Sequence, residues 1–153
     1  MSRLFSLIVV AVLVLALATG WIETDRPSTQ RIDPRLKESV RVWRHDMERT
    51  QLVWQARFFR IDPMVVEPLP NGNSGCYDYW SHRLSVSPEQ LLAGPYSTRA
   101  TVYHELGHGV FFLKHGSCKL MGPALDEAYL RQNWNQLVSE YIIAANNQSN
   151  LTP

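Results

Sequence analysis

Apolar residues recur at helical spacing early in the chain. Leu36, Val40, Trp43, Met47, Trp54 and Phe58 lie three, four or seven positions apart. Side chains so spaced fall on one face of an α-helix, which predicts an amphipathic helix of about six or seven turns. Asp33 is placed to cap it and Pro34 to occupy its first turn, with an interruption near Thr50 and Gln51. Its polar face carries Lys37, Glu38, Arg41, Arg44, Asp46 and Glu48. From Ile61 to Pro88 the period shortens, and prolines, asparagines and glycines punctuate short runs of valine and aromatics. These runs predict strands at residues 64–67, 76–80 and 84–87, the last with the alternation of a strand covered on one face. Helical periodicity returns with Val102, Leu106, Val110 and Leu113, behind Ser97 or Thr98 as cap. It returns again from about residue 124 to 145 through Leu130, Trp134, Leu137 and Tyr141. The expected fold class is α+β: a small, mostly antiparallel sheet, a long N-terminal helix, a middle helix and a C-terminal helix.

Residues 4–18 change the picture at the N-terminus. They form an apolar run behind Arg3 that ends in Ala16 and Ala18. A positive start, an apolar core and an A-x-A exit are the layout of a secretory signal. The run is shorter than the ~20 residues of a membrane span, although an anchor is the alternative. The expected organisation is a signal peptide at 1–18, a linker at 19–32, one domain at 33–146 and a disordered tail at 147–153. The expected location is outside the cytoplasm, secreted or periplasmic, with no membrane contact after signal cleavage. A formal net charge of +1 provides no basic stripe for nucleic acid. Cys76 and Cys118 are the two cysteines, and in an exported chain an even count favours a disulfide over two free thiols.

The chemistry concentrates in His104-Glu105-Leu106-Gly107-His108, an H-E-x-x-H sequence within the middle helix. Side chains four apart stand one above the other on a helix, so both imidazoles can reach one metal ion, and Glu105 lies where it can act on a water at an open coordination position. The histidines point away from the apolar stripe, so one side of this helix packs and the other faces a site. Catalytic zinc sites commonly have three protein ligands and one open position. His115 follows His108 by seven residues and Glu127 by nineteen. A continuous helix would carry His115 about 10 Å along the axis and to another face, so the chain must leave the helix and turn back for His115 to join. Glu127 is the alternative ligand, or else an acid at the start of the last helix.

His104-Glu105-Leu106-Gly107-His108, then His115, then Leu120-Met121-Gly122-Pro123 resembles the metzincin-type zinc metalloproteases. It is similar in particular to short bacterial secreted metallopeptidase-like proteins with an H-E-L-G-H core. The resemblance implies His104, His108 and His115 as zinc ligands, Glu105 as catalytic base, and Met121 in a tight turn beneath the metal. It implies a secreted protease, a hydrolase of peptide bonds with peptide or protein substrates and endopeptidase character. This sequence departs from the family pattern at two points: the third histidine lies one residue further on, and Phe111 stands where a glycine is expected. A gluzincin-like peptidase with Glu127 as third ligand and a non-catalytic zinc-containing binding protein are the alternatives. The strand at residues 84–87, if it forms the sheet edge, would align an extended substrate by strand addition. His45 and His82 lack ligand spacing and are expected at the surface. Tyr103, Tyr129 and Tyr141 are possible oxyanion donors among which sequence cannot choose.

Overall fold

The computed structural model describes residues 30–150. The expected signal peptide, most of the linker and the last three residues of the tail lie outside the described residues. Five α-helices and three short strands follow in order: α1 (Lys37–Glu48), α2 (Gln55–Phe58), β1 (Met64–Val66), β2 (Gly75–Asp78), β3 (Arg83–Val86), α3 (Pro88–Ala93), α4 (Pro95–Phe111) and α5 (Glu127–Ser149). The architecture is α+β, as expected. Among the described residues no helix is long and apolar enough to cross a membrane.

The predicted stripe of the first helix is the core of the molecule. Leu36, Val40, Trp43, Met47, Trp54 and Phe58 are all buried, but the helix that carries them is broken. α1 stops at Glu48, because the Thr50 hydroxyl donates to the Met47 carbonyl and accepts from the Leu52 N–H. That local bonding competes with helix continuation. The chain then bends so that Trp54 and Phe58 return to Trp43, whose ring stacks on Phe58 at 5.3 Å and meets Trp54 edge-on at 5.4 Å. Trp43 also donates from Nε1 to the hydroxyl of Tyr141 on α5. One indole therefore joins the first and last helices.

The sheet order is β1-β3-β2. β3 pairs in parallel with β1 and antiparallel with β2, so the sheet is mixed rather than mostly antiparallel. The strand expected at the edge is central, and β2 is the edge strand beside α4. The reason lies in both partners of β3: Leu84 N–H donates to Pro63 O on one side, while Ser87 N–H donates to Ser74 O on the other. α5 continues to Ser149, so the first residues of the expected disordered tail are helical. Asp126 caps α5 by accepting from the Tyr129 N–H at 2.8 Å.

Candidate metal centre

α4 begins behind Gly94, not at Ser97 or Thr98. Its exposed first amides are held by a side chain from another helix: Glu127 accepts from Tyr96 N–H at 3.2 Å and Ser97 N–H at 2.7 Å. The Ser97 hydroxyl adds a third bond at 3.0 Å. A carboxylate at a helix N-terminus satisfies orphan donors and opposes the positive end of the helix dipole. Gly94, at φ 139°, admits it, since a Cβ there would lie 2.5 Å from the Glu127 carboxyl carbon.

Two turns on, α4 presents His104 and His108. The chain leaves the helix through Phe112, which takes left-handed dihedrals (φ 56°, ψ 32°). Leu113 N–H then returns to the Gly107 carbonyl at 3.0 Å. Left-handed backbone costs a non-glycine residue roughly 1–2 kcal/mol. Here Arg57 opposes that cost: its guanidinium lies 4.5 Å from the Phe112 ring centroid and donates to Val110 O at 3.1 Å. The reversal brings His115 to the other two histidines. The left-handed residue that ends the helix is thus Phe112 rather than a glycine.

The three Nε2 atoms of His104, His108 and His115 lie 3.1 Å from one another. Among the described residues this is the group of histidine, cysteine and acidic side chains that could hold a metal ion. Donors on a tetrahedral zinc at ~2.0–2.1 Å stand roughly 3.3 Å apart, so the triangle fits. The tautomers fit as well. His104 Nδ1 faces Leu120 O at 2.9 Å and His108 Nδ1 faces Leu113 O at 2.7 Å. A carbonyl only accepts, so each Nδ1 carries the proton and each Nε2 keeps its lone pair for the ion. Burial holds the His104 pKa down to about 4 and also lowers that of His108, which keeps both imidazoles neutral at neutral pH.

Met121 is fully buried beneath this group. Its sulfur would lie 2.6 Å from a Cβ on Gly107, so the methionine packs directly against the helix between the two histidines. Residues Lys119–Met121 form a single 3-10 turn, and two of its carbonyls are used. Leu120 O accepts from His104 Nδ1–H, and Met121 O accepts from Gly116 N–H at 2.9 Å. The turn therefore holds His104 of α4 and the residue after His115 at once. Glu127, engaged at the start of α4, stands apart from the histidine group.

Glu105 is 5% exposed. Burial pushes its pKa up to about 7, against a smaller lowering from the Tyr77 backbone N–H, which hydrogen-bonds it from β2. A Cβ on Gly75 would sit 2.6 Å from Glu105 Oε1, so the strand passes this close because residue 75 has no side chain. A cleft of about 510 Å³ opens over the histidines and Glu105. Gly75, Tyr77 and Tyr79 form one wall; Leu120, Pro123 and Leu125 contribute to the other.

The cysteines are free thiols, which corrects the expected disulfide. Cys76 lies on β2 with Glu105 and Asp78 near it, whereas Cys118 is half-buried with the Leu120 and Met121 amides and Glu140 about it. Tyr103 and Tyr141 are buried in the core and bonded to Asp46 and Trp43, and Tyr129 accepts from Lys119. Tyr79, which sequence reasoning passed over, lines the cleft and donates to His108 O at 3.4 Å. Its position beyond a strand of the sheet carried no periodic signal that could have selected it. No protein-family model matches the chain, nor does any curated protein or solved structure.

Proposed function

We propose that this chain is a zinc metallopeptidase of metzincin-like design, a hydrolase of peptide bonds that acts outside the cytoplasm on peptide or protein substrates. The observation that carries the reading is the triangle of three Nε2 atoms at 3.1 Å with a buried carboxylate next to one of them in sequence. Three imidazoles in tetrahedral spacing suit zinc among the common divalent ions. Zinc held there supplies Lewis acidity, which polarises a carbonyl and brings the pKa of water towards ~7.

The protein supplies the rest. Glu105, with a pKa of about 7, is matched to taking a proton from water and returning it to the leaving amine at neutral pH. Gly75 and the Tyr77 carbonyl on the sheet edge offer backbone groups to an extended chain, the Tyr77 N–H being engaged by Glu105. Ser87 N–H donates to Ser74 O, and the pairing Cys76↔Ser85 and Asp78↔Arg83 follows in the same register. Alternation along an antiparallel pair then turns the polar groups of Gly75 and Tyr77 outward, over the cleft. A peptide can add there as a further strand.

Three histidines with no fourth protein ligand among the described residues favour a site with an open position, whereas structural zinc sites are closed by four. That weighs against a non-catalytic zinc protein, and the engagement of Glu127 at α4 weighs against a gluzincin-like ligand set. The deciding experiment compares the zinc-loaded parent with Glu105→Gln on a fluorogenic peptide library, with zinc content measured in both. The variant should retain zinc and lose hydrolysis by several orders of magnitude. Equal rates, or a parent that binds zinc but cleaves nothing, would overturn the reading.

A further inference from the structure

The loop joining β2 to β3 holds the most exposed large apolar side chain among the described residues. Trp80 is 96% exposed, and Tyr79 beside it is 51% exposed. The loop is nonetheless firmly built. Asp78 accepts from Trp80 N–H at 2.9 Å and from the Ser81 hydroxyl at 2.7 Å. Tyr77 Oη and His82 Nδ1 share a hydrogen bond of 2.8 Å across the loop, and the Tyr77 and Tyr79 rings meet edge-on at 5.0 Å. Tyr79 is tied in turn to His108 O. A rigid support that holds an indole in solvent is an unfavourable use of a large apolar surface, unless another apolar group covers it.

The sheet edge indicates what arrives there. Gly75 and Tyr77 lie against Thr101, Glu105 and Gly109 of α4, so a scissile bond acted on by Glu105 lies beside them. A peptide paired with these residues continues past Tyr79 at ~3.3 Å per residue. Two or three residues from the bond, it reaches Trp80. Antiparallel pairing is the somewhat more stable arrangement. It places the residues before the scissile bond, on its N-terminal side, at the Trp80 end. We propose that Tyr79 and Trp80 form an aromatic subsite that selects substrates with an apolar or aromatic side chain two or three positions before the cleaved bond. The inference rests on the peptidase reading and adds to it a substrate class.

The test uses the zinc-loaded full chain and two C-terminal hydroxamates, acetyl-Phe-Leu-Gly-hydroxamate and acetyl-Ser-Ser-Gly-hydroxamate, whose chelating group binds the metal whether or not hydrolysis occurs. Calorimetry on the parent should show the Phe-Leu compound binding about tenfold or more tightly than the Ser-Ser compound, in line with the burial of two apolar side chains. Trp80→Ala should remove most of that preference while leaving affinity for zinc and for acetohydroxamate unchanged. Trp80→Phe should restore much of it. Equal binding of the two compounds by the parent, or a preference that survives Trp80→Ala, overturns the subsite. A preference that depends on Trp80 in a protein that cleaves no peptide upholds the subsite and overturns only the peptidase reading.

Discussion

The carboxylate of Glu127 and the backbone N–H of Ser97 are joined at 2.7 Å, although they begin different helices thirty residues apart. The bond makes the start of α5 the cap of α4, and so connects the two longest helices at the end remote from the histidines. It also separates two roles that sequence left open for Glu127. Removing it should cost stability, about 0.5–2 kcal/mol as for a lost helix cap, while zinc affinity stays nearly intact. Removing His115 should do the reverse and weaken zinc binding by orders of magnitude, because a metal bond is lost. Competition against a chelator of known affinity, with thermal unfolding before and after EDTA, measures both effects. EDTA should lower the Tm of Glu127→Ala by about as much as that of the parent, and that of His115→Ala far less. Lost zinc affinity in Glu127→Ala, with affinity retained in His115→Ala, would reverse the ligand assignment.

The parts of the molecule that were legible beforehand are those set by period and by local chemistry. Leu36 through Phe58 carried their burial in their spacing, and the H-E-x-x-H pair carried its geometry in the four-residue separation. Glu127 was likewise readable as an acid at the start of the last helix. What could not be read depended on contacts distant in sequence. Thr50 marked the interruption of the first helix, but the bend that returns Trp54 and Phe58 to Trp43 has no local signal. The central place of β3 depends on β1 arriving in parallel from one side. The cap on α4 comes from thirty residues downstream, so the nearer Ser97 and Thr98 were the natural candidates. Phe112 runs against local preference outright, and only the position required of His115 accounts for it.

Phe112 gives a prediction in which the order of two variants is decisive. Glycine is the residue most at ease in the left-handed region, and a β-branched residue is among the least. Phe112→Gly removes the strain but also the ring on which Arg57 rests, a contact worth ~0.5–1 kcal/mol. Its net change in stability should stay within about 1 kcal/mol of the parent. Phe112→Val keeps the strain and loses the ring, so it should be less stable than Phe112→Gly by roughly 1–2 kcal/mol. Urea denaturation of the two variants checks the order. A valine variant as stable as the glycine variant would mean that the backbone at 112 is not left-handed in solution.

The free thiols predict a labelling pattern. Alkylation of the folded protein without reductant should add two groups in the intact mass, and Cys76 should react before Cys118. Cys76 is exposed while Cys118 is half-buried. Burial raises both thiols above the ordinary range, which lowers the reactive thiolate fraction at neutral pH. An unlabelled pair that becomes reactive only after reduction would show that the bridge forms after all.

Gly107 and Met121 yield the prediction with the clearest sign. By helix propensity alone, Gly107→Ala should stabilise α4 by up to about 1 kcal/mol. The added methyl, however, meets Met121 Sδ at 2.6 Å and Tyr141 Cε2 at 3.2 Å. Tyr141 cannot retreat, being fully buried and bonded to Trp43, so the methionine must move. Its turn holds His104 through Leu120 O and Gly116 through Met121 O, and displacement of that turn disturbs His104 and His115 together. Gly107→Ala should therefore destabilise the protein by about 1–3 kcal/mol, as overpacked cores do, and should weaken zinc binding. Met121→Ala alone leaves a cavity and should cost about 2–5 kcal/mol. In the double variant the new methyl enters the space the methionine vacated, so the combined loss should fall short of the sum by at least ~1 kcal/mol. Thermal unfolding and zinc competition on the four proteins of this cycle decide the matter. A stabilised Gly107→Ala, or strictly additive losses, would show that Met121 does not press on the helix between the two histidines.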